Sequence, residues 1–98
     1  MRIITFKRIK EFSETHADAD IPLRLWYSVS SKREWKSLLD IKKDFNSVDY
    51  VGNQRFVFNI KGNTYRLIAI ISFNAQKIYI RFIGTHAQYD KIKDIQNI

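Results

Sequence analysis

Ninety-eight residues suffice for one small core and leave no room for a second lobe, so a single domain spanning residues 1–98 is expected, with any function on its surface or in one cleft. Seventeen Lys and Arg against ten Asp and Glu give a net charge of +7. This favours a polyanionic partner, nucleic acid before membrane, since no basic segment carries a strongly apolar opposite face. With no cysteine, disulfides, thiolate metal sites and a cysteine nucleophile are all excluded.

The opening residues Met1 to Arg8 turn to charge too early for a signal peptide, and the longest unbroken apolar run, Leu67 to Ile71, is far short of a membrane span. A cytoplasmic location is expected. Arg2 to Ile4 fit a short edge strand. Phe6, Ile9 and Phe12 then recur every three residues, which predicts a helix ending near His16. Residues 16–20 read as a connection. Asp20 is read as the N-cap of a second helix, with Pro22 in its first turn, where a missing amide proton is harmless. Pro22, Trp26 and Val29 line one side of that helix, and Leu23, Leu25 and Tyr27 widen the stripe. Trp35, Leu38, Ile41 and Phe45 make another helical face, with Ser37 and Asp40 approximating a capping box at its start. Residues 46–54 read as the loop that hands the chain to a sheet.

From Arg55 the period changes to two. Phe56, Phe58 and Ile60 alternate with Arg55, Val57 and Asn59, and a turn on Gly62-Asn63 sets Ile60 opposite Tyr65 and Asn59 opposite Arg66. A second strand runs to Ser72. After a loop at about 74–77, a third runs from Ile78 to Ile83 with Ile70 opposite Arg81. This register collects Phe56, Phe58, Ile60, Tyr65, Leu67, Ala69, Ile71, Ile78, Ile80 and Phe82 on one face. The other face carries Arg55, Asn59, Arg66, Tyr79 and Arg81, with Val57, Ile68, Ile70 and Ile83 among them. The helices need apolar surface to pack on, so the expected fold is α+β, a small antiparallel sheet with N-terminal helices on one face. Thr85 and Gln88 match a capping box, so a short helix starts at His86 and carries Tyr89, Asp90 and Lys91.

Arg66 and Arg81, on one face of neighbouring strands, suit a phosphodiester, since each guanidinium can meet two phosphate oxygens at once. His86 falls at the positive end of the short helix, which favours a neutral imidazole able to accept a proton. Tyr89 lies one turn on and Lys91 is close in sequence, with Asn59 and Lys61 behind them. Each has a plainer reading: solvated arginines, a histidine satisfied by backbone, a tyrosine packing its ring, a lysine in a turn. His16, Trp26 and Trp35 read as structural. His16 and His86, 70 residues apart, make no metal site, and there is no Gly-rich phosphate loop, so neither metal nor cofactor is expected. The combination is more telling than its members. Cleaving RNA without a metal takes a base for the 2′-hydroxyl, cations for the charge growing on the phosphoryl oxygens, and an acid for the departing 5′-oxygen.

Residues 55–68, RFVFNIKGNTYRLI, and 78–86, IYIRFIGTH, followed by Tyr89-Asp90-Lys91, closely resemble the HigB toxins of bacterial type II toxin–antitoxin modules, in the RelE-like superfamily. Glu34-Trp35-Lys36-Ser37 and Asp49-Tyr50-Val51-Gly52-Asn53 extend the resemblance over nearly the whole chain. The resemblance implies a RelE-like α+β domain and an mRNA interferase, an endoribonuclease cutting translated mRNA, usually on the ribosome. It also implies silencing by a HigA-like helix-turn-helix antitoxin, operator DNA being met only through that complex, and no membrane. Site knowledge from the family carries over to Arg66, Arg81, His86 and Tyr89 as catalytic residues, and more loosely to Asn59, Lys61 and Lys91 as substrate-binding ones. Two other readings stand beside it: a non-catalytic basic module for RNA or DNA, and a regulatory protein whose only task is to bind another protein.

Overall fold

Alternating apolar residues in two long strands, joined by a tight turn, build the centre of the molecule. A computed structural model describes all 98 residues. In chain order the elements are β1 (Arg2–Ile4), α1 (Lys7–Thr15), a short 3-10 helix (Ala17–Ala19), α2 (Asp20–Ser31), α3 (Leu38–Asp44), β2 (Asp49–Gly52), β3 (Arg55–Ile60), β4 (Tyr65–Ser72), β5 (Lys77–Thr85), α4 (His86–Asp90) and a last 3-10 helix (Ile95–Asn97). The five strands form one sheet in the order β1-β5-β4-β3-β2. Every neighbouring pair is antiparallel except β1 with β5. This is the α+β architecture expected from the sequence.

The β3–β4 pairing places Ile60 opposite Tyr65 and Asn59 opposite Arg66, as the alternation requires. The left-handed turn residues are Lys61 (φ 52°) and Gly62 (φ 62°), not Asn63. One face of the sheet packs on the helices through sixteen buried residues, among them Ile9, Leu23, Trp26 and Ile41 from the helices and Phe58, Leu67, Ile78 and Ile80 from the strands. Trp26 meets Phe58 edge to face at 5.4 Å, and buried Trp35 donates its Nε1 to Asp44 Oδ2 at 2.9 Å. Both indoles are therefore structural.

Four expectations are corrected. The register of β4 with β5 shifts between Ile68 and Ala69: Ile80 pairs with Ala69 and Phe82 with Ile68, leaving Arg81 as an extra residue in a β-bulge. Ile70 thus faces Tyr79 rather than Arg81, Phe82 moves to the side away from the helices, and Ile83, opposite Leu67, packs against the main core. Residues 46–54 are not all loop, since β2 forms there as an edge strand against β3. Asp20 does not cap α2 but begins it: the preceding 3-10 helix runs directly into α2, Ala19 holds the cap position without a side-chain bond, and Asp20 Oδ1 accepts from Arg24 Nε at 2.9 Å. Leu25 is 62% exposed and widens no buried stripe, because Leu23, Trp26 and Ser30 point inward instead.

At α3, Ser37 Oγ accepts from the Asp40 amide at 3.4 Å, while Asp40 Oδ2 accepts from the Lys36 amide at 2.9 Å, so the expected box is half formed. The second face of the sheet is not bare. Val57 and Ile68, opposite each other, are buried outside the main core. The C-terminal segment lies against this side: Asn53 Nδ2 donates to the Gln96 carbonyl and Gln96 Nε2 to the Val51 carbonyl, both at 2.8 Å.

Candidate active site

β3 and β4 hold Asn59 and Arg66 directly opposite each other, so both side chains leave the sheet on the side away from the helices. Arg66 Nη1 donates to Asn59 Oδ1, and the guanidinium carbon sits 5.2 Å from the centre of the Tyr89 ring. A cation over an aromatic face is held electrostatically while its donors stay free for a ligand. Arg66 Nε has no hydrogen-bond partner.

Tyr89 arrives there because α4 is held at its start. Thr85 Oγ1 accepts from the Gln88 amide at 3.1 Å and Gln88 Oε1 accepts from the Thr85 amide at 2.9 Å, the complete capping box that Thr85 and Gln88 predict. The His86 amide donates to the Thr64 carbonyl at 3.3 Å, tying the helix to the β3–β4 turn. The His86 ring lies 6.5 Å from that of Tyr89, and its Nδ1 is 3.0 Å from Asp90 Oδ2. In a neutral imidazole that contact puts the proton on Nδ1 and leaves the Nε2 lone pair available to take one.

Asn59, Arg66, His86 and Tyr89 thus come together. Arg81 lies on the same side of the sheet but apart from them: its Nε donates to the Ile98 backbone oxygen at 3.2 Å, which also accepts from Arg55 Nη2 at 2.8 Å. Lys91 follows the last residue of α4, exposed and without an ion pair. Lys61 turns away, its Nζ 2.6 Å from Asp18 Oδ2. Asp18 also accepts from the Tyr65 hydroxyl at 2.5 Å. The Lys61 bond first and the Tyr65 bond second hold the Asp18 carboxyl below its ordinary 3.8, and the same carboxylate raises the Tyr65 phenol above 10.0.

Two residues gain a place that the sequence reading did not give them. Asp90 orients His86, a contact legible in their i,i+4 spacing on a helix. Arg55 joins Arg81 at the Ile98 oxygen; alternation puts both arginines on one face, but the contact with the far end of the chain has no signal in spacing. No group of three or more His, Cys, Asp or Glu side chains is placed to hold a metal ion. None of the surface grooves is lined by Arg66, His86 or Tyr89. An open, cationic patch suits a long polyanion better than an enclosed small molecule.

Residues 19–92 match the family model described as HigB_toxin, the RelE-like toxic component of a toxin-antitoxin system. The chain belongs to the HigB toxin family. The HigB match runs from the end of the first 3-10 helix past α4, so it includes Asn59, Arg66, Arg81, His86, Tyr89 and Asp90. Among HigB relatives, the chain is 33% identical over 93 residues to the mRNA interferase toxin HigB of Escherichia coli strain K12, covering 92% of this chain and 88% of that protein. The mRNA interferase HigB of Shigella flexneri gives the same figures. The mRNA interferase HigB of Escherichia coli O6:H1 is 26% identical over 94 residues, 94% of this chain and 91% of the relative.

Proposed function

We propose that this HigB-family toxin is an mRNA interferase, an endoribonuclease that cuts translated mRNA with its own side chains. The observation that carries this reading is the Arg66 guanidinium, free of any carboxylate, held by Asn59 and the Tyr89 ring beside a histidine whose Nδ1 is committed to Asp90. His86 Nε2 takes the proton of a 2′-hydroxyl. The 2′-oxygen then bonds to phosphorus as the bond to the 5′-oxygen breaks, leaving a 2′,3′-cyclic phosphate. Arg66 stabilises the charge gathering on the phosphoryl oxygens, Arg81 adds to the positive field from β5, and the 5′-oxygen receives a proton from Tyr89 or Lys91.

In this reading the toxin works in the cytoplasm on ribosome-bound messages. A HigA-like antitoxin with a helix-turn-helix silences it, and operator DNA is met only by the pair. The domain comprises residues 1–98. The +7 charge and the family match support it.

The test is to map cleavage ends on a translated mRNA with wild type, His86→Ala and Arg66→Ala. His86→Ala is expected to slow cutting by about 10²- to 10⁴-fold and Arg66→Ala by about 10²- to 10³-fold, with the fold intact. Full toxicity in both variants removes these residues from the site. Salt-dependent RNA binding with every message left intact favours the non-catalytic binding module.

A further inference from the structure

Arg55 and Arg81 come from strands separated by β4, yet their side chains meet at one atom, the Ile98 backbone oxygen, at 2.8 and 3.2 Å. Two guanidiniums repel each other, and a shared acceptor holds them together only as far as its negative charge offsets theirs. That acceptor is an oxygen of Ile98, the last residue of the sequence. Neither arginine pairs with an Asp or Glu side chain, and Arg55 Nε is shielded from solvent with no hydrogen-bond partner. The pair therefore has the make-up of an anion site, filled here by the chain's own last residue. A phosphate supplies negative charge and the paired oxygens that match an arginine fork.

We infer that Arg55 and Arg81 form a second phosphate-binding subsite for single-stranded RNA, from which the RNA backbone displaces Ile98. Arg55 lies four residues before Asn59 on β3, about 13 Å along the strand, and Asn59 is opposite Arg66. The phosphate held here is thus a different one from the phosphate at Arg66. The two Gln96 bonds to Asn53 and Val51 anchor the segment behind Ile98, so the displacement is local. The inference rests on the RNA-cleaving reading only for the identity of the polyanion, since holding a phosphate needs no cutting.

The test uses the full chain and 2′-O-methyl RNA, which has no nucleophile and stays whole: a hexanucleotide with five phosphodiesters and a dinucleotide with one. Binding is followed by fluorescence anisotropy over a range of salt for wild type, Arg55→Gln, Arg81→Gln, the double variant and, as a control on the far side, Lys32→Gln. Arg55→Gln and Arg81→Gln are each expected to weaken hexanucleotide binding by about tenfold and to lower the salt slope by about 0.7. The double variant falls short of the product of the two, because they share one phosphate. Dinucleotide binding, centred on Arg66, stays at its wild-type value in Arg55→Gln, and the Lys32→Gln protein binds both RNAs as wild type does. Ile98 methyl resonances shift with the hexanucleotide and not with the dinucleotide. Exposed Arg81 can be replaced without disturbing the sheet, so its variant decides the matter if Arg55→Gln folds poorly.

Hexanucleotide binding that ignores both arginines, or a dinucleotide weakened as much as the hexanucleotide, overturns the subsite. Arginine-dependent binding by a protein that never cuts mRNA keeps the subsite and removes the nuclease reading. Cutting that needs His86, with binding indifferent to Arg55 and Arg81, does the reverse.

Discussion

Arg66 is held without being neutralised. A carboxylate would fix the guanidinium more firmly, yet it would compete with any incoming phosphate for the same donors. Asn59 and the Tyr89 ring orient it by a neutral acceptor and a quadrupole, which leaves the full positive charge for substrate. Asn59→Ala is therefore expected to lower cleavage by about tenfold through a looser guanidinium, with little change in melting temperature, since Asn59 is only half-buried. Tyr89→Phe separates the two duties of the tyrosine. The ring over Arg66 remains, so RNA binding holds, while loss of the hydroxyl proton is expected to slow cutting by about 10²-fold, measured under single-turnover conditions. Lys91→Met, changing a residue with no contact to the cluster, is expected to cost less. A reversed ranking assigns the acid to Lys91.

At the scale of elements, the site depends on a helix of five residues, too short to persist without its cap. Thr85→Ala removes one half of the capping box and is expected to destabilise the fold by about 1 kcal/mol, read from urea melts. Activity falls further than that, because His86 and Tyr89 both fray with the first turn. Gly84→Ala strikes the same device from the strand side. A Cβ at Gly84 would lie 2.5 Å from Phe82 Cζ and 2.8 Å from Gln88 Oε1, the atom that accepts from the Thr85 amide, so both neighbours must move. The cap was legible because Thr85 and Gln88 carry it in four consecutive residues, and the β3–β4 register because six residues of strict alternation adjoin a tight turn. The bulge was not, since a period of two cannot register an extra residue. Its one trace is the consecutive apolar pair Phe82-Ile83 after Arg81, where alternation fails. β2 hid for a different reason: four residues that include Asp49 and Gly52 read as loop, and only the unpaired edge of β3 makes a strand of them.

Over the whole molecule, three arginines share the side of the sheet away from the helices. Asp18, Asp20, Asp40 and Asp44 each pair with a nearby cation among the helices and turns, while Arg55, Arg66 and Arg81 on the opposite side of the sheet have no Asp or Glu partner. These three guanidiniums give that surface a local positive field, which steers a polyanion. One of those pairings also bolts the layers together. Asp18, in the connection between α1 and α2, joins Lys61 in the β3–β4 turn and Tyr65 at the start of β4, so helical layer and sheet share a carboxylate at the end of the hairpin that carries Arg66. Its pKa is lowered in the folded chain below 3.8, so the native state holds that proton less tightly than the unfolded chain. The bolt's stabilisation is complete above pH 3.8 and is lost as pH falls through the lowered folded value. For Tyr65 the sign reverses. Its folded value lies above 10.0, so that contribution is complete below pH 10.0 and disappears as pH rises through the folded value. Urea midpoints of wild type and Asp18→Asn are therefore expected to differ most between these limits and to converge at the acid end, where both carry an uncharged group at position 18. A difference that stays constant from neutral pH down to pH 2 would show that the carboxylate contributes nothing as an anion.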